Sequence, residues 1–410
     1  MIDRQQAEQL AAVWARRDSQ RLGHECRASV DEFDLGYVIS STVSPDVRTV
    51  PGDLPTTVVD KWTGEVSTWP RVSLEQVERM YRRSRPAGQP APRTVDPASQ
   101  LLREIRRLPT PTTAAHLNLD GRLHRAQGAK GDIELHHHPL VRRYLDDLPP
   151  GHLVRGGDRH AELIVVSDVL HEYDHRRAAE GIEPMSMADA ESLLGKARFE
   201  VFHVREAGDR YGGRIERGCD SCVNFLVHFN LLPWAELAFT AERRIGPQPP
   251  IQPGRFPSEV ADSLVEGGWE DTMFNAALAA GAIRETCEHV SQVNRHEPFP
   301  AAEQALTAFP AIVSERRGAG EQVWISGFTT NPLHSAQTAD TLADFAEVLG
   351  HRLFPFGSEF GESIIAVDER GRIFALDQAG EWFLGADVDA ALITLLLGRA
   401  PARVRDDGTW

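Results

Sequence analysis

The chain has 410 residues, of which 41% are apolar and 25% charged, and its formal net charge is −16. That length exceeds one typical domain and the apolar share is ordinary for a soluble globular protein, so two or three domains with their own cores are expected. The acidity excludes a general nucleic-acid coat, which needs a basic footprint. The longest aliphatic run, residues 390–397, is far short of the roughly 20 residues that cross a bilayer. With no apolar h-region in the opening residues, a cytoplasmic location is the default expectation and no membrane partner is expected.

Charge is unevenly spread. Residues 252–410 hold 24 acidic against 11 basic side chains, which is −13 of the −16, whereas residues 93–159 hold 11 basic against 8 acidic. The middle of the chain therefore tolerates a phosphate-bearing substrate better than its end does. Four cysteines, Cys26, Cys219, Cys222 and Cys287, are too few for a disulfide framework. A CxxC pair in a reduced compartment favours metal or redox chemistry, and Cys26 and Cys287 read as inert core thiols.

In chain order, apolar spacing over residues 2–16 predicts a first helix, and strands follow at 27–33, 36–42, 57–60 and 65–69. Ser73 then reads as an N-cap with Gln76 at the third helical position, opening a helix through Tyr81. Trp62 and Trp69 are read as core or turn packing. The stretch VVDKWTGEVSTWP within this unit resembles the small immunity domains of the immunity-protein-35 (YrhB-like) kind, which carry no catalytic constellation. A Pro-rich linker at 86–97 and a second at 246–255 divide the chain into an α+β unit at 1–85, a middle unit at 98–245 and a last unit at 256–410.

The middle unit opens with a short helix at 101–107. A hairpin joins 114–119 to 122–126 through Asp120-Gly121. His136, His137 and His138 cannot share one face and are read as a partly solvated loop edge. Residues 162–175 form an amphipathic helix beginning at or just before His160, residues 198–205 alternate as a strand, and 222–232 has helical length.

Two motifs in this unit carry chemistry. His160-Ala-Glu162 is answered by Cys219-Asp-Ser-Cys222, each half at the start of a helix, where the macrodipole and free N–H groups favour thiolate. One imidazole and two thiolates hold zinc with a fourth position for water, whose pKa falls toward neutrality. A nearby carboxylate that is not a ligand can shuttle the proton. His160, Cys219 and Cys222 fit the ligand roles and Glu162 fits the shuttle. The overlapping His171-Glu172-Tyr173-Asp174-His175 matches HExxH, the zinc-protease pattern. It leaves its third ligand unassigned, with Glu191 and Glu200 available. It also gives no role to the other four residues, so the first motif is preferred and the second is expected on a solvated distal end of the helix. Asn118 and Tyr211 are the substrate-contact candidates, with Phe202 expected in the core.

The H-x-E…C-x-x-C pattern resembles the zinc nucleoside and nucleobase deaminases. Within them, RHAELIVVSDVL followed by GCDSCVNFLVHF is similar to the YwqJ-related deaminases of bacterial polymorphic toxin systems, over about 145 residues from Ala114 to Pro233. Gly218 stands where such sequences usually have proline, and the longer spacing predicts an insertion at 181–196 that reshapes the pocket. The resemblance implies a central cytidine deaminase-like α/β/α domain, bound Zn2+, and a small-molecule or single-stranded nucleic-acid substrate.

In the last unit, helices are predicted at 259–267, 341–349 and 388–397, the last two ended by Gly350 and Gly398. A strand is predicted at 322–327 and a hairpin joins 363–367 to 372–375. PSEVADSLVEGGW, FAEVLGHRLFPFG, IIAVDERGRIFAL and DVDAALITLLLG resemble the third group of SUKH-type immunity domains, which implies an α+β fold that binds proteins, often toxins. The acidic excess then suits a basic partner. The expected whole is a multidomain α/β and α+β chain with the deaminase-like domain flanked by two small α+β domains. Two functions stay open, a zinc-dependent deaminase and a non-catalytic poly-immunity type binding protein, with an HExxH protease behind them.

Overall fold

The computed structural model describes residues 2–22, 25–43, 56–64, 66–69, 73–84, 110–132, 134–206, 208–215, 217–233, 254–269, 276–289, 293–360 and 362–410. The linker at 86–97, the helix at 101–107 and most of the stretch 246–255 lie outside them. The architecture is a mixed α/β and α+β chain organised on a five-stranded, a four-stranded and a seven-stranded sheet.

The first sheet follows a helix, Arg4–Leu22, longer than its sequence pattern suggested. Cys26–Glu32, Gly36–Val43, Thr56–Asp60 and Val66–Trp69 lie side by side in chain order, all antiparallel. The Leu74–Ser84 helix covers them, with Phe33, Val58, Trp69, Val77 and Tyr81 forming the core. Its start is set as expected: Gln76 Oε1 accepts hydrogen bonds from the Ser73 N–H and hydroxyl. Trp69 is buried and Trp62 stands exposed in its turn. A short strand from the middle of the chain, Glu134–Leu135, joins this sheet parallel to Val66–Trp69, and His136 stacks on Trp69 at 4.0 Å.

The central sheet has the order Arg122–Gln127, Thr112–Leu119, Arg198–Val204, Gly213–Ile215, every pair antiparallel. Its first hairpin turns at Asp120 and Gly121, both with positive φ, the geometry for which Asp-Gly is selected. Ala115, Leu117 and Leu119 pack in one core with the Ala161–Ala179 helix. That helix corrects the amphipathic expectation, because Ala161 to Ser167 are all buried. The sheet takes one side, and the Pro139–Asp147 and Asp220–His228 helices take others. Each fully buried Leu, Val or Phe here contributes roughly 1.5–3 kcal/mol. The second of these helices stops at His228, short of the predicted 232, as Asn230 takes a positive φ.

The last sheet runs Val313–Ser314, Phe328–Thr329, Leu353–Glu359, Ser363–Asp368, Ile373–Asp377, Gly380–Gly385 and Ala402–Arg403. Both its faces are covered. Ile365 and Val367 pack among the Ser258–Glu266, Pro300–Ala308 and Val388–Leu397 helices, while Ile364 and Ala366 pack with Leu342 and Phe345 of Ala339–Leu349. The period-two alternation of a strand thus feeds two cores, and every residue of Ser363–Asp368 is buried. Gly350 and Gly398 end their helices with positive φ, as predicted. The strand predicted at 322–327 contracts to Trp324–Ile325, paired only with Gly318–Ala319. Among the described residues, no helix is long and apolar enough to cross a membrane.

Candidate metal centre and active site

Two helix starts converge. His160 is the N-cap residue of Ala161–Ala179 and Cys219 that of Asp220–His228, with Cys222 in the latter's first turn. The helices pack against each other through the core that holds Ala161, Leu163, Cys222 and Phe225. His160 Nδ1 lies 3.2 Å from Cys222 Sγ and 3.5 Å from Cys219 Sγ. One ligand atom from each of the three residues falls within 4.8 Å of the others, and among the described residues this is the only such group of His, Cys, Asp or Glu.

Electrostatics pull these groups apart. Burial opposes charge on His160, yet Cys219 beside it, with Glu162 and Asp377 adding, lifts its pKa to about 9. The hydrogen bond from Cys222 holds the Cys219 thiol well below its ordinary value, against burial and with help from His160. Burial and the neighbouring Cys219 push Cys222 far up. Burial also raises Glu162, whose Oε2 is buried with no hydrogen-bond partner among the described residues. One imidazole, two sulfurs and an unpartnered carboxylate oxygen are a donor set and acid–base group suited to zinc. A Cβ on Gly218 would approach Glu162 Oε1 to 2.9 Å, so the glycine at the usual proline position lets the thiol loop pass close over this carboxylate.

The HExxH residues do not converge on a metal. His171 Nε2 faces the His136 carbonyl at 3.3 Å and its ring packs on His138. Glu172 pairs with Arg122 and Arg176, and His175 meets Arg79. This end of the helix is half-buried where a solvated one was expected: Glu172 is buried, His175 is partly exposed, and burial drives the His171 pKa down to about 3. Of the three histidines expected as a partly solvated loop edge, His136 and His137 are partly buried in a loop and only His138 departs from that reading. His138 is buried, accepts from the Leu140 N–H and meets Asp174 at 2.9 Å, and His137 Nε2 lies 2.7 Å from the Asp158 carbonyl. Consecutive side chains pointing three ways each found a different element to pack on.

The other candidates fall elsewhere. Asn118 is exposed near the hairpin end, in register with Leu123 and Arg198. Tyr211 OH is 2.9 Å from His334 Nδ1. Neither lines the cleft at His160. Phe202 is partly buried against His116. The stretch 181–196 forms a capped helix, Met187–Leu194, whose Ala190 and Leu194 join the central core, so it does not line the cleft either. Cys26 is buried and Cys287 partly so.

The cleft at His160 and Cys219 has a volume of about 40 Å3. Val154 and Arg155 line it from the central part, and Trp324, Glu359, Glu362, Asp377 and Gln378 line it from the last part of the chain. Arg155 pairs with Glu359 at 2.5 Å and Asp377 at 3.0 Å. Glu362, pushed up to about 8 by burial and by Cys219, faces the same space. Sequence reasoning singled out none of these. Their partners lie 104 to 222 residues away, and no local pattern marks them.

Three family models match successive stretches: the Immunity protein 35-like domain over residues 5–89, the YwqJ-like deaminase over 96–231 and the SUKH-3 immunity protein over 256–398. The order agrees with that of the sequence resemblances. No curated protein and no solved structure is found to match the chain.

Proposed function

We propose that the chain is a zinc-dependent hydrolytic deaminase acting on an amino-bearing base of a nucleoside, nucleotide or single-stranded nucleic acid. His160, Cys219 and Cys222 hold the metal and Glu162 carries the proton. A deaminase match between two immunity-type matches fits a toxin–immunity system. The same reading divides the chain into units at 1–85, 98–245 and 256–410, and gives the acidic last unit a basic protein partner. The observation that carries the proposal is the convergence of one imidazole and two sulfurs within 4.8 Å beside a buried, unpartnered carboxylate oxygen.

A bound zinc ion supplies a Lewis acid and lowers the pKa of a water at its open position. The chain's own residues do the rest. Glu162, its pKa raised by burial, is suited to take a proton at Oε2 and deliver it to the departing amino nitrogen, so that water and the C–NH2 group become C=O and ammonia. The helix N-termini at His160 and Cys219 favour the anionic form of the thiol ligands. Burial of Cys222, Glu162 and His160 keeps bulk water from competing for these groups.

The test is a mass-spectrometric screen of nucleosides, nucleotides and single-stranded oligonucleotides for a one-dalton gain, with Glu162→Ala as control. The expected result is a gain with wild-type protein only. A zinc-free native protein, or equal turnover by Glu162→Ala, refutes the reading.

A further inference from the structure

The cleft beside His160 and Cys219 is narrow because the last part of the chain sits in its mouth. Gln378 Oε1 accepts from the Ala161 N–H at 3.2 Å, which caps the first turn of the helix behind His160. Trp324 Nε1 donates to Asp220 Oδ2 at 3.2 Å, at the first residue of the helix that carries Cys222. Both helix starts that supply the metal-type ligands are therefore engaged by residues from the stretch that matches the SUKH-3 immunity protein.

The seam is fitted rather than incidental. Arg155 is inserted between Glu359 and Asp377 and lies against the Trp382 ring. Two glycines on the central side admit the approach: a Cβ on Gly128 would come within 2.5 Å of the Gln378 carbonyl oxygen, and one on Gly156 within 2.5 Å of Ala379 Cβ. Away from the cleft, Glu206 accepts from the Asp340 and Thr341 N–H groups at the start of the Ala339–Leu349 helix. The cleft left beside this seam is small, about 40 Å3, where small-molecule pockets span roughly 300 Å3 or more.

We propose that residues 256–410 are a cap on the catalytic centre of the same chain: the acidic, immunity-type unit takes the central unit as its partner in cis and narrows the site, so that turnover by the intact chain is slow until the unit is displaced. The proposal rests on the deaminase reading for what is being slowed, but the narrowing itself is a property of the seam. Arg155 supplies the cation that the acidic surface is built to receive, and Gln378 and Trp324 supply its hold on the two helix starts.

The experiment uses the full-length chain with Cys26→Ser and Cys287→Ser, stripped of metal, so that maleimide labelling followed by mass spectrometry reports only Cys219 and Cys222. It is compared with Gly128→Trp, a wedge at the seam, and with Arg155→Ala, each checked for a cooperative melt. The cap predicts labelling of the parent far slower than in denaturant, and labelling about tenfold faster or more in either folded variant, as expected when a local opening becomes easier. Labelling of the parent at the free-thiol rate overturns the cap even if neither variant folds, and so does unchanged labelling in two folded variants. Turnover gives a second arm. A wedge that raises deamination supports the cap, and a parent that deaminates at a rate the folded wedge abolishes would make the last unit part of the active site instead. Zinc content, measured on parallel preparations purified without stripping, separates the two claims: shielded thiols in a chain that binds no zinc sink the deaminase reading and leave the cap.

Discussion

One helix and its N-cap carry two sets of ligand-type residues, and their surroundings treat them in opposite ways. At the start of Ala161–Ala179, His160 and Glu162 meet two cysteines, and Glu162 Oε2 has no hydrogen-bond partner among the described residues. Eleven residues on from His160, roughly 16 Å along the axis, His171, Glu172 and His175 have each been taken up by neighbours: a carbonyl, two arginines and a third arginine. A metal motif needs donors that converge and lone pairs that remain unused. Only the first set has both.

Breaking the first set gives the largest effect. Cys219→Ser or Cys222→Ser is expected to remove bound zinc, read as metal per chain by mass spectrometry, while His171→Ala leaves it unchanged. Zinc lost on His171→Ala and retained on His160→Ala would reverse the comparison.

The paired glutamates sharpen it. Glu162→Gln is expected to keep the metal and lower turnover by about 10²–10⁴, the usual contribution of a positioned proton carrier. Glu172→Gln should leave turnover alone and cost stability, by up to about 1 kcal/mol because its partners Arg122 and Arg176 are half-exposed, measured by denaturant melts. A smaller shift is expected of Gly218→Ala, whose Cβ would crowd Glu162 Oε1. Turnover should fall with zinc content intact, and an unaltered rate would mean that the carboxylate has room to move.

A separate effect appears in acid. Burial lowers the His171 pKa to about 3 against an ordinary 6.5, so its neutral form is the one the fold holds. Unfolded chains then bind the extra proton between those values, and stability, complete above about pH 6.5, declines as pH falls toward 3. His171→Asn should flatten that slope by up to one proton. An identical pH profile of melting would show that this histidine is not held neutral.

The gain from sequence was greatest where the signal was local. Asp120-Gly121 fixed a hairpin, and Ser73 with Gln76 fixed a helix start. The H-x-E and C-x-x-C spacings put every donor at a helix N-terminus, because capping and turn geometry depend on neighbours a few residues away. The amphipathic reading of Ala161–Ala179 failed for the opposite reason. Its leading residues Ala161 to Ser167 are all buried, since helices from before and after it cover what looked like a polar side.

By itself, then, the sequence determined which His, Glu and Cys side chains stand at two helix starts, and the order of the three family matches. The tertiary structure decided which of two overlapping motifs kept free donors, and that His136, His137 and His138 would be spent on packing. It also brought Glu359, Asp377 and Gln378 across 200 residues to the mouth of the cleft. Such contacts are set by how sheets and helices pack at long range, where hydrophobic burial fixes position and no short pattern records the partner.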